Sequence, residues 1–318
     1  AELASAGYRI HHIPFGRSVS FFLRLFVFLR REQFDLVHFH AEGANFWSAM
    51  TARLAGQRRL VRTIHNCFEF DRSLRHRRAV QRRLLSWLGL RYVSISPSVA
   101  ENELRRYGIQ TTLIPNWYDS EHFRPPSDSE RISARRQFGY ADQDVVIVSV
   151  GNCNRTKNHG AVLEAMTLFP KGSRLKYLHV GMEELGHPER ELATALEVSP
   201  NMQFAGPLHD VREALWAADI YVMSSLHEGF SIAALEAMSV GLPAVLYDSP
   251  GLRDLKEPFP DLTLVKNPSD LAIALLATAE STRLRRNEIT GKNYEIARSK
   301  FGVDVGVELY WKLYKGVM

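Results

Sequence analysis

Short apolar segments alternate with helix-length segments along the whole chain, and this alternation constrains the fold more than any other feature. Continuous apolar strands separated by helices are typical of parallel sheets that are covered on both faces. The strand candidates form two sets: residues 35–40, 60–65, 92–96 and 111–116, followed by 145–151, 175–181, 202–206, 220–225 and 243–248. Two such sets in tandem predict two doubly wound α/β domains.

The segment between the two sets has the composition of a linker. It contains Pro125, Pro126, several charges and Gly139 around one short helical pattern. The predicted division is a first domain over residues 1–124, a linker over 125–144, a second domain over 145–295 and a C-terminal helix at about 296–318. We expect this aromatic-rich helix to pack back on the first domain.

Charge is distributed unevenly along the chain. Residues 1–120 contain 18 arginines, no lysine and nine acidic residues, a net charge of +9, whereas the remainder carries −4. The basic half indicates a polyanionic partner or an anionic membrane, although the solvated face of a helix explains the arginines of residues 72–83 equally well. Because no zinc-finger spacing or RNP-like aromatic motif accompanies them, nucleic acid is not expected as a partner.

The two cysteines, Cys67 and Cys153, are far apart and in no metal-ligand spacing. Two such cysteines do not provide a disulfide framework. This favours a reducing compartment and predicts a cytoplasmic protein. Residues 18–31 combine phenylalanines and leucines with three arginines, and this stretch is too short to span a bilayer. Such a helix either covers the first sheet or lies at the inner face of the cytoplasmic membrane, and both interpretations stay open.

The most informative segment is SSLHEGFSIAALEAMSVGLPAV, residues 224–245. A strand is predicted to end near Ser225, and a tight turn then leads into a helix that begins around Ser231. The backbone amides of Gly229, Phe230 and Ser231 would lie at the N-terminus of this helix, where anions are stabilised. The segment therefore predicts a binding site for a diphosphate.

Glu228 and Glu236 are eight residues apart, which along a helix separates their backbones by roughly 12 Å. Their setting, E-G-F…E-A-M…G-L-P, resembles the E-x7-E signature of retaining GT-B glycosyltransferases, particularly glycosyltransferase family 4. The resemblance implies that Glu236 binds the ribose of a nucleotide and that Glu228 lies beside the donor sugar. It also implies the GT-B fold, α/β with two Rossmann-like doubly wound domains that face a cleft.

The loop VGNCNRTKNHG, residues 150–160, resembles the V-G-R-L-x-x-x-K-N loop of the same family. Carried over, Gly151 is the turn glycine and Lys157 binds phosphate. Asn152 replaces the usual arginine, which removes one cation from the site, and the neighbouring Arg155 is the candidate substitute.

A further stretch of the second half resembles the F-x-G…A-D segment of the family. In that family the segment lines the nucleotide-base side of the donor site. The resemblance therefore implies that Gly206 and Asp219 lie near the base.

Three histidines stand out in the first half of the chain. His38 and His40 alternate on one strand and therefore share a face, and His65 ends the next strand. Because no cysteine or acid completes a ligand set, a zinc site is not expected there. The segment TIHN resembles the T-x-H-D of the family, which implies that His65 reaches the reacting sugar, although Asn66 replaces the aspartate.

The resemblance implies a glycosyltransferase that moves a sugar from a nucleotide diphosphate sugar, with UDP favoured, to a glycan or lipid-linked acceptor. Retention of configuration, a role in cell-surface polysaccharide or glycoconjugate synthesis, and independence of metals and cofactors are implied with it. The first strand and Gly-rich turn of the family have no counterpart in this sequence, so either the sequence is truncated or the protein lacks this unit. A non-catalytic sugar-nucleotide-binding scaffold and a GT-B sugar-nucleotide epimerase stay open as alternatives.

Overall fold

The computed structural model describes residues 2–16 and 18–317, which divide into two compact units. Unit 1 contains the chain up to residue 94, residues 100–113 and the residues from 311 onward. Unit 2 contains residues 95–99 and 114–310.

Unit 1 is built on a four-stranded parallel sheet. The elements in the first part of the chain are α1 (Glu2–Ser5), α2 (Val19–Glu32), β1 (Val37–Phe39), α3 (Asn45–Leu54), β2 (Leu60–Ile64), α4 (Arg72–Trp87), β3 (Leu90–Ser94), α5 (Pro97–Tyr107) and β4 (Thr112–Leu113). The strands lie in the order β1-β2-β3-β4, with Leu60 opposite both Val37 and Leu90. Strand β2 is buried along its whole length, as a central parallel strand with helices on both faces requires.

The arginine-rich helix α4 has one buried arginine among largely exposed ones. Arg82 is only 2% exposed and donates to Glu103, with Nε 2.7 Å from Oε2. Its guanidinium also stacks over the Tyr107 ring at 4.2 Å and pairs with Glu42. Buried charges persist only when they are paired in this way. Part of the arginine run is therefore structural, while Arg75 and Arg83 remain on the solvated face.

Helix α2 packs against α3 and leaves much of its apolar surface uncovered. Leu29 is the one buried residue of α2. The Leu29 carbonyl accepts a hydrogen bond from the side-chain amide of Gln57 at 2.9 Å. Val19, Leu23 and Val27 are exposed. Among the described residues, no helix is both long and apolar enough to cross a membrane.

Unit 2 is built on a six-stranded parallel sheet in the order β10-β9-β8-β5-β6-β7. Its strands are β5 (Val145–Val150), β6 (Leu175–Val180), β7 (Met202–Gly206), β8 (Ile220–Met223), β9 (Ala244–Tyr247) and β10 (Thr263–Val265). The helices are α6 (Asp128–Phe138), α7 (Gly160–Met166), α8 (Pro188–Ala195), α9 (Arg212–Ala217), α10 (Ile232–Ser239) and α11 (Pro268–Phe301), and α12 (Val303–Val317) begins in unit 2 and ends in unit 1. Every strand predicted for this half is present, and β10 is additional.

The segment predicted as a linker, residues 125–144, carries helix α6, which packs on α9 within unit 2. A capping box begins this helix, with Ser127 and Glu130 satisfying each other's backbone amides. On the packed face, Arg131 and Arg135 donate to the carboxylate of Asp219. The segment is therefore anchored to the second sheet by buried ion pairs.

The C-terminal helix predicted at about 296–318 is instead two helices, α11 and α12, that meet at Gly302. The Tyr118 amide donates to the Phe301 carbonyl at 3.1 Å, and Tyr118 forms a parallel bridge with Gly302. This pairing needs an extended residue, and Gly302 has a ψ of 154°. The aromatic periodicity of the sequence continues through this break, so it gave no sign of it.

Candidate functional site

Two loops meet at the carboxyl edge of the second sheet, one after β5 and the other after β8. The Ser224 hydroxyl donates to the carbonyls of Asn158 at 2.8 Å and Lys157 at 3.2 Å. The Leu226 amide donates to the Thr156 carbonyl at 2.8 Å. Ligands of open α/β sheets bind at this edge, and these bonds hold the two loops in a fixed arrangement there.

The structure brings Lys157 and Glu228 into direct contact across these loops. Lys157 Nζ lies 2.7 Å from Glu228 Oε1, and the two side chains are only 24% and 16% exposed. The aliphatic part of Lys157 passes over Gly151, where a β-carbon would lie 3.4 Å from its Cε. The site therefore offers a cation and a carboxylate, both partly shielded from water.

Gly251 sets the position of the turn that carries Glu228. The Glu228 amide donates to the Pro250 carbonyl at 3.1 Å. Gly251 has a φ of +80°, and a β-carbon there would lie 2.5 Å from the Glu228 carbonyl oxygen. Only glycine accepts both this dihedral angle and this approach without strain.

Helix α10 begins directly after this turn. The Ser231 hydroxyl accepts a hydrogen bond from the Ala234 amide at 3.2 Å and so caps the helix. The Phe230 ring is buried, with its centroid 5.6 Å from that of Phe301. The Ser231 hydroxyl and the Phe230 ring are both engaged inside unit 2. A ligand could therefore contact Phe230, Ser231 and Gly229 only through their backbone amides.

Glu236 lies on α10 and is partly buried. Burial raises the pKa of its carboxyl to about 7, and no described residue donates a hydrogen bond to it. Burial, with contributions from Glu228 and Glu236, raises the pKa of Tyr221 on β8. Glu236 is thus a desolvated acceptor that a ligand with hydroxyl donors would satisfy.

The other residues predicted around the phosphates have different environments. The Asn152 carbonyl oxygen Oδ1 accepts from the Met182 amide at 2.9 Å, so Asn152 braces the loop. Arg155 is exposed and makes no ion pair with any residue that the structure describes. Gly206 ends β7 with a φ of +71° and open space where a β-carbon would lie. Arg155 is therefore available as a second cation, and Asn152 keeps its side-chain Nδ2 as a donor while its Oδ1 is engaged in the loop.

The prediction that Asp219 lies on the base side is wrong. Asp219 immediately precedes β8, so it falls at the amino edge of the sheet, where its carboxylate accepts from the Val146 amide at 2.8 Å. Arg131 and Arg286 pair with it at 2.8 and 2.9 Å. A cavity of about 990 Å³ beside these residues therefore lies at the sheet edge opposite the loops that follow β5 and β8.

In unit 1, the three histidines form a row in which a hydrogen bond joins two of them and His38 lies against His40 through a ring contact. His65 Nε2 shares a hydrogen bond with His40 Nδ1 at 2.9 Å. Both ring nitrogens of His38 are occupied, by Tyr314 and Thr63, each at 2.8 Å. Desolvation lowers the pKa of all three rings, for His38 to about 3, so the row is neutral at pH 7. His40 and His65 are both exposed, so either ring can meet a ligand, whereas His38 is partly buried.

Sequence reasoning did not identify Tyr221 or Gly251 as part of the site. Tyr221 lies in an apolar strand and gives no signal there. Gly251 follows Asp248, Ser249 and Pro250 directly after β9, and this Pro-Gly turn at a carboxyl strand end was a signal that could have been used.

Two parallel α/β units, with a site of this kind at the carboxyl edge of the second sheet, define the GT-B class of folds. Residues 130–294 match the family described as Glycosyl transferases group 1, and residues 3–122 match Glycosyltransferase Family 4. The first match alone covers more than half of the chain. The chain therefore belongs to the group 1, family 4 glycosyltransferases.

Individual relatives and structures agree with this membership. The chain is 26% identical over 238 residues to the UDP-Gal:alpha-D-GlcNAc-diphosphoundecaprenol alpha-1,3-galactosyltransferase of Escherichia coli, covering 70% of this chain and 60% of that protein. A glycosyltransferase structure from Rickettsia africae ESF-5 superposes with a TM-score of 0.85 at 17% identity, covering 99% and 86% of the two chains. Anabaena Alr3699/HepE in complex with UDP-glucose gives 0.80 at 18%, covering 99% and 88%. The chain spans about three-fifths of the length of the first two curated relatives it matches.

Proposed function

We propose that the chain is a glycosyltransferase that takes its sugar from a nucleotide diphosphate sugar bound to unit 2. The observation that carries the proposal is the contact of Lys157 with Glu228 directly before α10, the helix on which Glu236 lies unpaired. Membership of the group 1 family supports this function. In this proposal no cofactor or metal takes part in the transfer.

The donor assignment follows from the chemistry at the carboxyl edge. Lys157, the exposed Arg155 and the backbone amides at the start of α10 provide positive charge for a diphosphate. Glu236 accepts hydrogen bonds from the ribose hydroxyls, and Glu228 faces the sugar. UDP is the favoured nucleotide, because the Escherichia coli relative is named for UDP-Gal and the Anabaena structure holds UDP-glucose.

The reaction we infer breaks the bond between the anomeric carbon and the diphosphate and forms a bond to the acceptor oxygen, whose proton passes to the departing diphosphate. Lys157 and the helix amides stabilise the departing diphosphate, where negative charge develops. His65, neutral at pH 7 and exposed at its strand end, is assigned to the acceptor side. Retention of the anomeric configuration is part of the proposal and rests on the family resemblance.

A glycan or lipid-linked acceptor, in the synthesis of cell-surface polysaccharide or glycoconjugate, is the acceptor class we propose. The Escherichia coli relative is named for a diphosphoundecaprenol-linked acceptor. Unit 1 has exposed apolar residues on α2 and a second exposed stripe on α4 at helical spacing, Val80, Leu84 and Trp87. With the surrounding arginines, these faces suit an anionic membrane on the cytoplasmic side.

The test is to incubate the purified chain with UDP-sugars and follow the donor by NMR. A transferase slowly releases UDP and free sugar, and the first-formed sugar has the anomeric configuration of the donor. Lys157→Ala should lower this rate at least about 100-fold, whereas Lys171→Ala, an exposed lysine before β6, should not. A changed sugar still attached to UDP would indicate an epimerase, and binding without turnover would indicate a scaffold.

A further inference from the structure

A compact polar cluster lies buried beneath the loop of unit 2 that follows β5 and carries Lys157, here called the donor loop. Cys153 follows β5, His159 is the residue before α7, and His179 lies in β6. Their exposed fractions are only 4%, 6% and 0%. One ligand atom from each residue lies within 4.8 Å of the other two, and Cys153 Sγ is 3.2 Å from His179 Nε2.

Hydroxyl groups hold one nitrogen of each imidazole. Ser149 Oγ lies 3.2 Å from His179 Nδ1, and the Tyr177 hydroxyl lies 3.4 Å from His159 Nδ1. The two hydroxyls are themselves 2.7 Å apart. Histidines that bind metals have this environment, because a partner on one nitrogen orients the ring and leaves the other nitrogen as the ligand.

The second nitrogen of His159 lacks a partner. The backbone of Gly151 and Asn152 lies near the ring, yet Nε2 is buried without a hydrogen bond of normal geometry to any described residue. A buried polar atom of this kind is rare in folded proteins and needs an explanation. A metal ion within the cluster would supply the missing partner.

We propose that Cys153, His159 and His179 bind one Zn²⁺ ion as three of its four ligands. Nitrogen and sulfur ligands in tetrahedral arrangement are typical of zinc, and its bond lengths separate neighbouring ligand atoms by about 3.4–3.6 Å. The 3.2 Å between Cys153 Sγ and His179 Nε2 is close to this spacing, and the ligand atoms of all three residues lie within 4.8 Å of one another.

The position of this site indicates a structural role. Cys153 and His159 flank Lys157 in sequence, so an ion held by both braces the donor loop from its two ends. The inference does not depend on the proposed function, because metal binding can be measured without a donor or an acceptor. It revises the sequence-based expectation that the chain binds no metal.

The experiment is a metal titration of the full chain after removal of bound metal with a chelator. We expect one Zn²⁺ per chain in competition with a chromophoric chelator, and release of about one proton per ion at pH 7 as the thiol ionises. Co²⁺ in its place should give the near-ultraviolet thiolate charge-transfer band and the visible bands of tetrahedral cobalt. Cys153→Ser should abolish the charge-transfer band, and His179→Gln should weaken binding at least about 100-fold.

The matched control is Cys67→Ser, because Cys67 is also buried but lies in unit 1. This variant should bind Zn²⁺ and Co²⁺ as the wild type does. The wild-type cobalt spectrum decides the proposal even if a ligand variant fails to fold. A wild type without the thiolate band, or equal zinc affinity in folded Cys153→Ser, would overturn it.

Discussion

Lys157 Nζ and Glu228 Oε1 are 2.7 Å apart, although 71 residues separate them in the chain. The cation assigned to the donor phosphates is therefore paired with a carboxylate of the protein. A diphosphate has to compete with this carboxylate for Lys157 and also has to approach its negative charge. The pair consequently opposes the binding of the bare nucleotide.

We predict that Glu228→Gln binds UDP about 3- to 10-fold more tightly than the wild type, because one charged hydrogen bond no longer competes. The transfer rate should fall at least about 100-fold, because the group facing the sugar is lost. Calorimetry and a transfer assay measure the two effects. Glu164→Gln, an exposed glutamate on α7, is the control, and weaker UDP binding in Glu228→Gln would contradict the arrangement.

Glu236 should reduce the stability of the ligand-free protein at neutral and higher pH. Its pKa is raised to about 7 when folded, so its favourable contribution is complete below pH ~4.5 and is lost as pH rises through 7. At pH 8, the free energy of unfolding from urea denaturation should therefore be higher for Glu236→Gln than for the wild type, by up to about 3 kcal/mol. Near pH 4.5 the two free energies should be similar. Equal stability at pH 8 would show that the carboxyl is not desolvated.

The close approach of Gly251 to the Glu228 carbonyl predicts a specific glycine requirement. Gly251→Ala places a β-carbon 2.5 Å from that oxygen and should weaken donor binding at least about 10-fold by displacing the turn. Gly186→Ala is a matched control, because Gly186 has a φ of +85° and open space around it. Both variants pay the same dihedral strain, so equal donor affinity in the two would contradict the role of the contact.

His65 is predicted to act on transfer and not on donor binding, because it lies in unit 1. His65→Gln should lower kcat about 100-fold or more and leave the Kd for UDP unchanged. His76→Gln, on the exposed face of α4, should change neither quantity. Full transfer activity in His65→Gln would remove this residue from the proposed site.

The exposed apolar face of α2 predicts binding to anionic vesicles. The wild type should sediment with phosphatidylglycerol vesicles and not with phosphatidylcholine, and salt should weaken the binding. Leu23→Glu combined with Val27→Glu should reduce it at least about 10-fold. Leu185→Glu, at a still more exposed leucine in unit 2, is the control. Binding that survives the α2 changes would assign the contact elsewhere.

The parallel sheets could be predicted from the sequence because several of their strands are continuous apolar runs, as in β8 and β9. Strand β10 escaped prediction because only Thr263–Val265 pair in it, too few residues for a periodic signal. The break at Gly302 depends on Tyr118, which is distant in the chain. No local pattern encodes such a contact.

Within the site, the motif residues Lys157, Glu228 and Glu236 were predicted from the sequence, and the structure adds the contact between the first two. The Asp219 prediction failed because Asp219 precedes β8 and therefore lies at the amino edge of the sheet, whereas the candidate site lies at the carboxyl edge. The buried set Cys153, His159 and His179 could not be foreseen, since it forms only when β6 lies beside β5. Its six-residue Cys–His spacing alone was too weak a signal.

The measurement that tests the central claim most directly is calorimetric titration of UDP, GDP and ADP into the wild type and Glu236→Ala. The account predicts that a nucleoside diphosphate binds the wild type, with UDP favoured, and that Glu236→Ala weakens it at least about 10-fold through loss of the ribose contact. Glu164→Ala should bind as the wild type does. Absence of binding by all three nucleotides, or equal affinity in Glu236→Ala, would contradict the donor site proposed for unit 2.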